Sequence, residues 1–297
     1  RVINKDKSVV SREIRRNADA RSGQYKDDLA HRKYLKRQAY KAKARTFTPE
    51  VEAYVRDKLR LKYSPEQIAG AAKTNGDNCV SHERIYQFIW QDKRKKGTLY
   101  LDLRNRGRRY KKRSVIYDKR GTIPNRTDIS LRPPEVEQRE RFGDLEIDLI
   151  IGKNHKNAIL TINDRATGLA KLCKLTGKDA EQLAVATIDC LKDWKPYLHT
   201  ITSDNGKEFS SHQMIATELN IDFFFAKPFA SWQRGSNENY NRLVRQYIPK
   251  KVDFDYVTHD YVKYVEQQLN NRPRKRFGYL SPNQIVSRVW NTLVKSG

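Results

Sequence analysis

Three acidic residues occupy positions where an acid needs a reason. Asp148 lies inside an apolar run, between Ile147 and Leu149-Ile150. A carboxylate among buried aliphatic side chains is costly unless something pairs with it. Asp204 follows the apolar run 198–203 and precedes the turn signal Asn205-Gly206. Glu238 comes after a long stretch, 226–235, in the first turn of an expected helix. Taken singly, an Asp-Asn-Gly triplet reads as a turn and a Glu at a helix start as a cap. Asp148 is harder to explain that way. Gathered together, three carboxylates repel one another and require cations. An all-oxygen donor set suits Mg²⁺, with Mn²⁺ as a substitute. Two such ions roughly 4 Å apart can activate a nucleophile and stabilise a leaving 3′-oxygen in phosphoryl transfer. Asp148, Asp204 and Glu238 are therefore the expected metal-holding set, with two ions per site.

The elements around these residues decide whether they can meet. The patterning predicts strands at 145–151, 158–163 and 169–175, joined by tight turns as an antiparallel meander. An amphipathic helix follows at 179–193, then a strand at 198–203, a helix at 210–219, a strand at 221–225 and a helix at 236–247. The order βββαβαβα is that of a ribonuclease H-like core, a mixed five-stranded sheet flanked by helices. In such a sheet the first and fourth strands are neighbours. Asp148 and Asp204 would project from one region, and the last helix can bring Glu238 beside them.

The N-terminal half reads differently. At 8–17, Ser8 can cap a short helix with Val10 and Ile14 on one face and Ser11, Arg12, Arg15 and Arg16 on the other. Such a helix suits a major-groove reader. A basic helix is expected over 26–45. Thr48-Pro49-Glu50 opens another, carrying Val51, Tyr54, Val55 and Leu59. Ser64-Pro65-Glu66-Gln67 has the form of a capping box with Pro at the first helical position. Ser81-His82-Glu83-Arg84 opens a third helix, with Ile85, Phe88 and Ile89 inward. This is a helix-turn-helix layout, in which Ser81, His82, Arg84 and Gln87 would face the groove. A plain three-helix scaffold would show the same pattern.

Charge favours a polyanionic partner. Of 297 residues, 60 are Lys or Arg and 35 are Asp or Glu, a net of +25. Residues 1–140 hold 37 of the basic residues against 18 acidic ones, and 141–297 hold 23 against 17. Concentrated positive charge is what DNA binding requires, because contact releases condensed counterions. The densest stretch, 93–120, includes Arg104, Arg106, Arg108 and Arg109 and is expected to lie along a phosphate backbone. It lacks the apolar face needed for a membrane surface. No apolar run reaches the roughly 20 residues of a membrane span. The three Cys, at 79, 173 and 190, form no CxxC, which excludes a disulfide scaffold or a Cys-rich zinc module and fits a reducing compartment. No secretory signal opens the chain, and it begins at Arg1, so a preceding segment is expected.

Four segments resemble the IS30 family of DDE transposases and, more broadly, the retroviral-integrase catalytic core. They are Gly143-Asp144-Leu145-Glu146-Ile147-Asp148-Leu149-Ile150-Ile151-Gly152, Ser203-Asp204-Asn205-Gly206-Lys207-Glu208-Phe209, Ser231-Trp232-Gln233-Arg234-Gly235-Ser236-Asn237-Glu238-Asn239-Tyr240-Asn241 and Asn270-Asn271-Arg272-Pro273-Arg274-Lys275. The 33 residues between Asp204 and Glu238 match the family's second spacing. Further upstream, 11–17 resembles the end of the family's first helix-turn-helix, and 63–69 with 80–86 its second. Leu145 and Ile147 stand where the family tends to have Trp and Gly. The first helix-turn-helix is cut short, which bears on its DNA binding.

The resemblance implies that Asp148, Asp204 and Glu238 form the catalytic triad of an insertion-sequence transposase. Such an enzyme binds double-stranded DNA at its element's terminal inverted repeats, cuts the 3′ ends and joins them to target DNA. A homodimer or larger assembly and a bacterial cytoplasmic, nucleoid-associated location are implied. The expected divisions are a partial first helix-turn-helix with a basic helix (1–45), a second helix-turn-helix (46–92), a basic arm (93–134), the catalytic core (135–253) and a helical C-terminal segment (254–297). Around Glu238, Lys227, Trp232, Arg234 and Asn241 are expected to contact DNA, Arg234 at a phosphate and Trp232 against a base; the alternative is a core Trp232 and an Arg234 that forms a surface ion pair. A structure-specific nuclease on the same core would explain the acids but not the helix-turn-helix units. A DNA-binding regulator would not need three carboxylates. A tyrosine recombinase needs an Arg-His-Arg pocket that the sequence does not offer. A retroviral-type integrase would carry a His/Cys zinc domain.

Overall fold

A computed structural model describes residues 5–40, 47–106, 123–153, 156–177, 179–227 and 230–295, without the side chains of 39, 231, 232 and 289–295. Contacts divide the chain into two units, Arg1–Thr48 and Pro49–Gly297.

The first unit holds α1 (Lys7–Asn17) and α2 (Asp27–Tyr40). The cap of α1 is Asp6 rather than the expected Ser8, because the Asp6 carboxylate accepts the Ser8 N–H at 2.8 Å. The expected apolar stripe is not what α1 buries. Ile14 is exposed, and the buried residue is Asn17, whose amide oxygen accepts from Arg37 at 2.7 Å. Lys33 adds a bond to the Ala18 carbonyl at 2.7 Å. A helix so rich in Arg and Lys has too little apolar surface to pack otherwise, so polar ties join α1 to α2.

The second unit opens with α3 (Pro49–Arg60), α4 (Pro65–Asn75) and α5 (His82–Arg94). Both arms of the capping box at Ser64 and Gln67 form. Val51, Val55, Leu59, Ile68, Ala72, Ile85 and Ile89 are buried at helical spacing and close the three helices on one another. The stretch after α5 is not a free arm at its start. Lys62 pairs with Asp102 at 2.5 Å, and Lys93 lies over the Tyr100 ring.

The sheet strands are β1 (Thr127–Asp128), β2 (Asp144–Ile151), β3 (Ala158–Asp164), β4 (Ala170–Leu175), β5 (Thr200–Ser203) and β6 (Asp222–Phe225). Their order is β1-β6-β5-β2-β3-β4; β2, β3 and β4 are antiparallel, while β5, β6 and β1 run parallel to β2. The short helix α6 (Glu135–Gln138) precedes β2. Helices α7 (Ala180–Leu191), α8 (His212–Leu219) and α9 (Gly235–Tyr247) follow in the expected order. The sheet has six strands where five were expected, because the two-residue β1 is too short to announce itself in the sequence. Side chains alternate across β2, so Leu145 and Ile147 join one core with Leu183, Leu191, Ile215 and Leu219 of α7 and α8. Ile150 instead packs with Tyr240, Leu243 and Val244 of α9 and with α10 (His259–Asn270). Gly143 makes the start of β2 feasible: its φ is 100°, and a Cβ there would sit 1.8 Å from the Tyr197 carbonyl oxygen.

The segment after α9 closes the fold with polar side chains. Asn270 exchanges hydrogen bonds with both backbone groups of Ala170, and Glu266 accepts the Leu172 N–H, so α10 satisfies the open edge of β4. Arg272, 2% exposed, donates to Gln67, Gln246 and the Lys62 carbonyl, tying α3 and α4 to α9. The chain ends in α11 (Pro282–Lys295).

Candidate active site

Parallel pairing sets the first two acids side by side. Asp144, Leu145 and Glu146 pair with Thr200, Ile201 and Thr202. The same offset carried two residues further makes Asp148 level with Asp204, just past the end of β5. Arg234, the residue before α9, reaches both: one guanidinium nitrogen lies 3.7 Å from Asp148 Oδ2 and the other 3.3 Å from Asp204 Oδ2. It also donates to the Ile147 carbonyl at 3.3 Å. Asp148 accepts from Asn241 Nδ2 at 2.8 Å and from the Leu149 N–H at 2.9 Å. The Thr161 hydroxyl donates to Asn241 Oδ1 at 2.9 Å, which fixes the amide's orientation. Burial pushes the Asp148 carboxyl up to about 6; Arg234 pulls it down and the charge of Asp204 adds to the rise.

Glu238 stands apart from this pair. It lies in the first turn of α9, one turn before Asn241, with an exposed side chain and no ion pair or hydrogen bond among the described residues. Among those residues, no group of three His, Cys, Asp or Glu side chains could hold a metal as arranged. The structure brings two of the three expected acids together.

Beneath the pair is a buried charge network that the sequence reading did not single out. Glu146, fully buried two residues before Asp148 on the same face, pairs with Arg165 and accepts the Asn237 N–H at 2.8 Å. Arg165 also reaches Glu137 at 2.9 Å and the Val136 carbonyl at 3.1 Å. Arg132 pairs with Glu137 and donates to the Thr202 hydroxyl. The signal was available: Glu146 and Asp148 alternate with apolar residues in one strand, so whatever faces Asp148 also faces Glu146.

No protein-family model matches the chain. It is 53% identical over 289 residues to the transposase for insertion sequence element IS4351 of Bacteroides fragilis, covering 97% of this chain and 89% of that protein. It is 32% identical to the transposase for IS1086 of Cupriavidus metallidurans, covering 95% and 86%. It is 30% identical to transposase InsI for IS30A of Escherichia coli K12, covering 96% and 77%. The chain belongs to the IS30 family of insertion-sequence transposases. A transposase of this kind is a polynucleotidyl transferase acting in DNA recombination. A solved catalytic core of the BIV integrase aligns with 51% of this chain and 97% of its own, at 18% identity and a TM-score of 0.41.

The transposase's expected DNA contacts fall into several environments. Ser11, Arg12, Arg15 and Arg16 are exposed on α1. Ser81 serves as the N-cap of α5, accepting the Arg84 N–H, while His82 and Gln87 are exposed and Arg84 is half-buried. Arg104 and Arg106 are exposed, and Arg104 also bonds Asn239 on α9. Arg108, Arg109 and the side chain of Trp232 lie outside the described residues. Lys227 is exposed, and its N–H bonds Gln233. Arg234 bridges the acids, and the Asn241 amide is occupied by Asp148 and Thr161, so both residues organise the acidic pair in this structure.

Proposed function

We propose that this transposase cuts and joins DNA at the Asp148–Asp204 pair, with Glu238 as third acid, on a ribonuclease H-like core. The observation that carries the reading is Arg234. One guanidinium lies within ion-pair distance of both carboxylates, so the two acids converge on a single position for positive charge. An all-oxygen donor set at such a position fits a hard divalent cation. Asp148 and Asp204 would hold Mg²⁺ or Mn²⁺, with Glu238 joining by a rotamer change from α9. When bound, the metal supplies activation of the attacking oxygen and charge stabilisation of the leaving one.

The chain's own residues prepare this chemistry. Asn241 holds Asp148 in one orientation, and Glu146 fixes the first turn of α9 through the Asn237 N–H. Arg234 neutralises the pair in this structure, and with a cation held there it would be free to bind the scissile phosphate. Water attacks the phosphodiester at an element end and releases a 3′-OH. That 3′-OH then attacks a phosphate of the target. The helices α3–α5 and the basic stretch after them would hold terminal repeats and target, as a helix-turn-helix DNA-binding half. Synapsis of two ends calls for at least two protomers, at the bacterial nucleoid. Among the described residues no helix is long and apolar enough to cross a membrane.

The test uses labelled element ends with and without Mg²⁺. Asp148→Asn, Asp204→Asn and Glu238→Gln should each abolish cleavage and strand transfer while end binding persists. Wild-type turnover in any one variant removes that residue from the triad.

A further inference from the structure

The face of α9 opposite Asn241 lines a cavity of about 340 Å³. Four arginines border it: Arg104, Arg139, Arg274 and Arg276. None of the four forms an ion pair with a carboxylate among the described residues. Three of them rest on neutral acceptors. Arg104 donates to Asn239, Arg274 to the Leu269 carbonyl, and Arg276 to the carbonyls of Arg165 and Ala166. Lys275, also at the rim, is paired with Glu66 at 2.6 Å and is the contrast.

Two further residues of the wall have unmet hydrogen-bonding capacity. The Ser236 hydroxyl and the hydroxyl of Tyr240, a residue only 2% exposed, are buried without a hydrogen-bond partner among the described residues. Buried hydroxyls without partners are uncommon and call for an explanation. Burial and the charges of Arg276 and Arg104 bring the Arg274 guanidinium down to about 10, against the opposite pull of Tyr240. Clustered guanidiniums without a carboxylate partner are matched by one chemical group, a tetrahedral oxyanion.

We propose that this cavity is a binding site for one phosphodiester of the DNA backbone. The proposal rests on the reading that DNA lies at the Asp148–Asp204 pair, and it adds where a second phosphate is held. The cavity and the acidic pair face opposite sides of one helix, whose diameter with side chains is about 10–12 Å. The held phosphate therefore belongs to a nucleotide near the cut and not to the reacting one. It anchors the strand while leaving the reacting phosphate to Arg234 and the acids.

The test measures binding of an element-end duplex over a salt series for wild type, Arg139→Gln, Arg276→Gln and the double variant. Among the described residues the Arg139 side chain makes no hydrogen bond or ion pair, so its replacement should leave the fold intact, which equal melting temperatures verify. The double variant should flatten the slope of log affinity against log salt by about 0.9, the value for one phosphate, and each single variant by no more. An unchanged slope in the double variant overturns the proposal. So does a flattening of about 1.8, because two independent phosphates would then be involved. Inorganic phosphate is the remaining arm. If it raises the melting temperature of wild type but not of the double variant, while DNA slopes agree, the cavity holds a free anion and the DNA assignment fails. Asp204→Asn run in parallel separates the two readings: persistent cleavage there overturns the acidic site without touching the slope result.

Discussion

Glu146→Gln isolates the buried charge beneath the acidic pair. The substitution keeps the shape of the side chain but removes its charge, and the single amide oxygen can serve the Asn237 N–H or Arg165, not both. Arg165 is 1% exposed, so its guanidinium cannot turn to water. Breaking a buried pair by removing one partner costs about 3–5 kcal/mol. Arg165 would keep the Val136 carbonyl and Glu137, but the Glu137 side chain is 63% exposed and compensates weakly. These residual contacts put the cost at the lower end, about 3 kcal/mol. For a unit of this size, each kcal/mol moves the melting temperature by about 2–4 °C, so the expected fall is about 6–12 °C. Thermal unfolding followed by circular dichroism reads it. A fall below about 2 °C would correspond to less than 1 kcal/mol and would refute the reasoning. The double variant Glu146→Leu with Arg165→Met removes both charges at similar volume and should recover most of the loss. If it is as unstable as Glu146→Gln, shape rather than stranded charge is responsible.

Asp148 should titrate near pH 6 in the metal-free protein, because burial raises it more than Arg234 lowers it. Below that pH it becomes a neutral acid and a poor metal ligand, so metal affinity should fall as pH drops through 6. Arg234→Met should move the titration higher still; carboxyl NMR finding a value near about 4 in either protein would contradict the burial argument. Arg272→Met should strip the acceptors Gln67, Gln246 and the Lys62 carbonyl of their buried donor. Amide exchange in α4 should then quicken, and unchanged exchange would show that apolar packing alone docks α3 and α4.

Strand and helix patterning is legible here because each element of the core buries one face. Periods of two in β2 and of about 3.6 in α7 and α9 follow directly from that burial. The capping box at Ser64 was equally readable, since both partners lie within four residues. Polar contacts between distant segments were not. Arg37 with Asn17, Arg272 with Gln246, and Asn270 with Ala170 join residues whose pairing no local pattern records. Asp6 displaced Ser8 as a cap because either side chain can accept an N–H at a helix start, and the sequence contains both. The motif residues Asn270 and Arg272 were visible as a motif. Their work, closing the β4 edge and fastening α4, depends on the tertiary fold. Arg234 was singled out for its place in the sequence near Glu238, and its placement between two acids follows from the end of β5 and the start of α9 meeting at one point.

Charge also accounts for the position of Glu238. Asp148 and Asp204 together carry two negative charges when ionised, and Arg234 supplies one positive charge between them. A third carboxylate drawn into the pair would restore the deficit that Arg234 relieves, in a place where Asp148 already resists ionisation. With only one guanidinium present, the lowest-energy arrangement keeps Glu238 in water, where its charge is solvated at no cost. On the proposed reading, a divalent cation held by Asp148 and Asp204 would reverse this balance, because its two positive charges would make a third oxygen donor favourable. On that reading, the pair, the arginine and the exposed glutamate would form a site whose third ligand joins only as positive charge arrives. Replacing Arg234 by a neutral residue removes the competitor for that position. Arg234→Met should therefore bind Mn²⁺ more tightly than wild type in a titration, even though the same change raises Asp148, provided the pH is held well above 6. Weaker binding under those conditions would mean that Arg234 supports the metal site instead of holding its place.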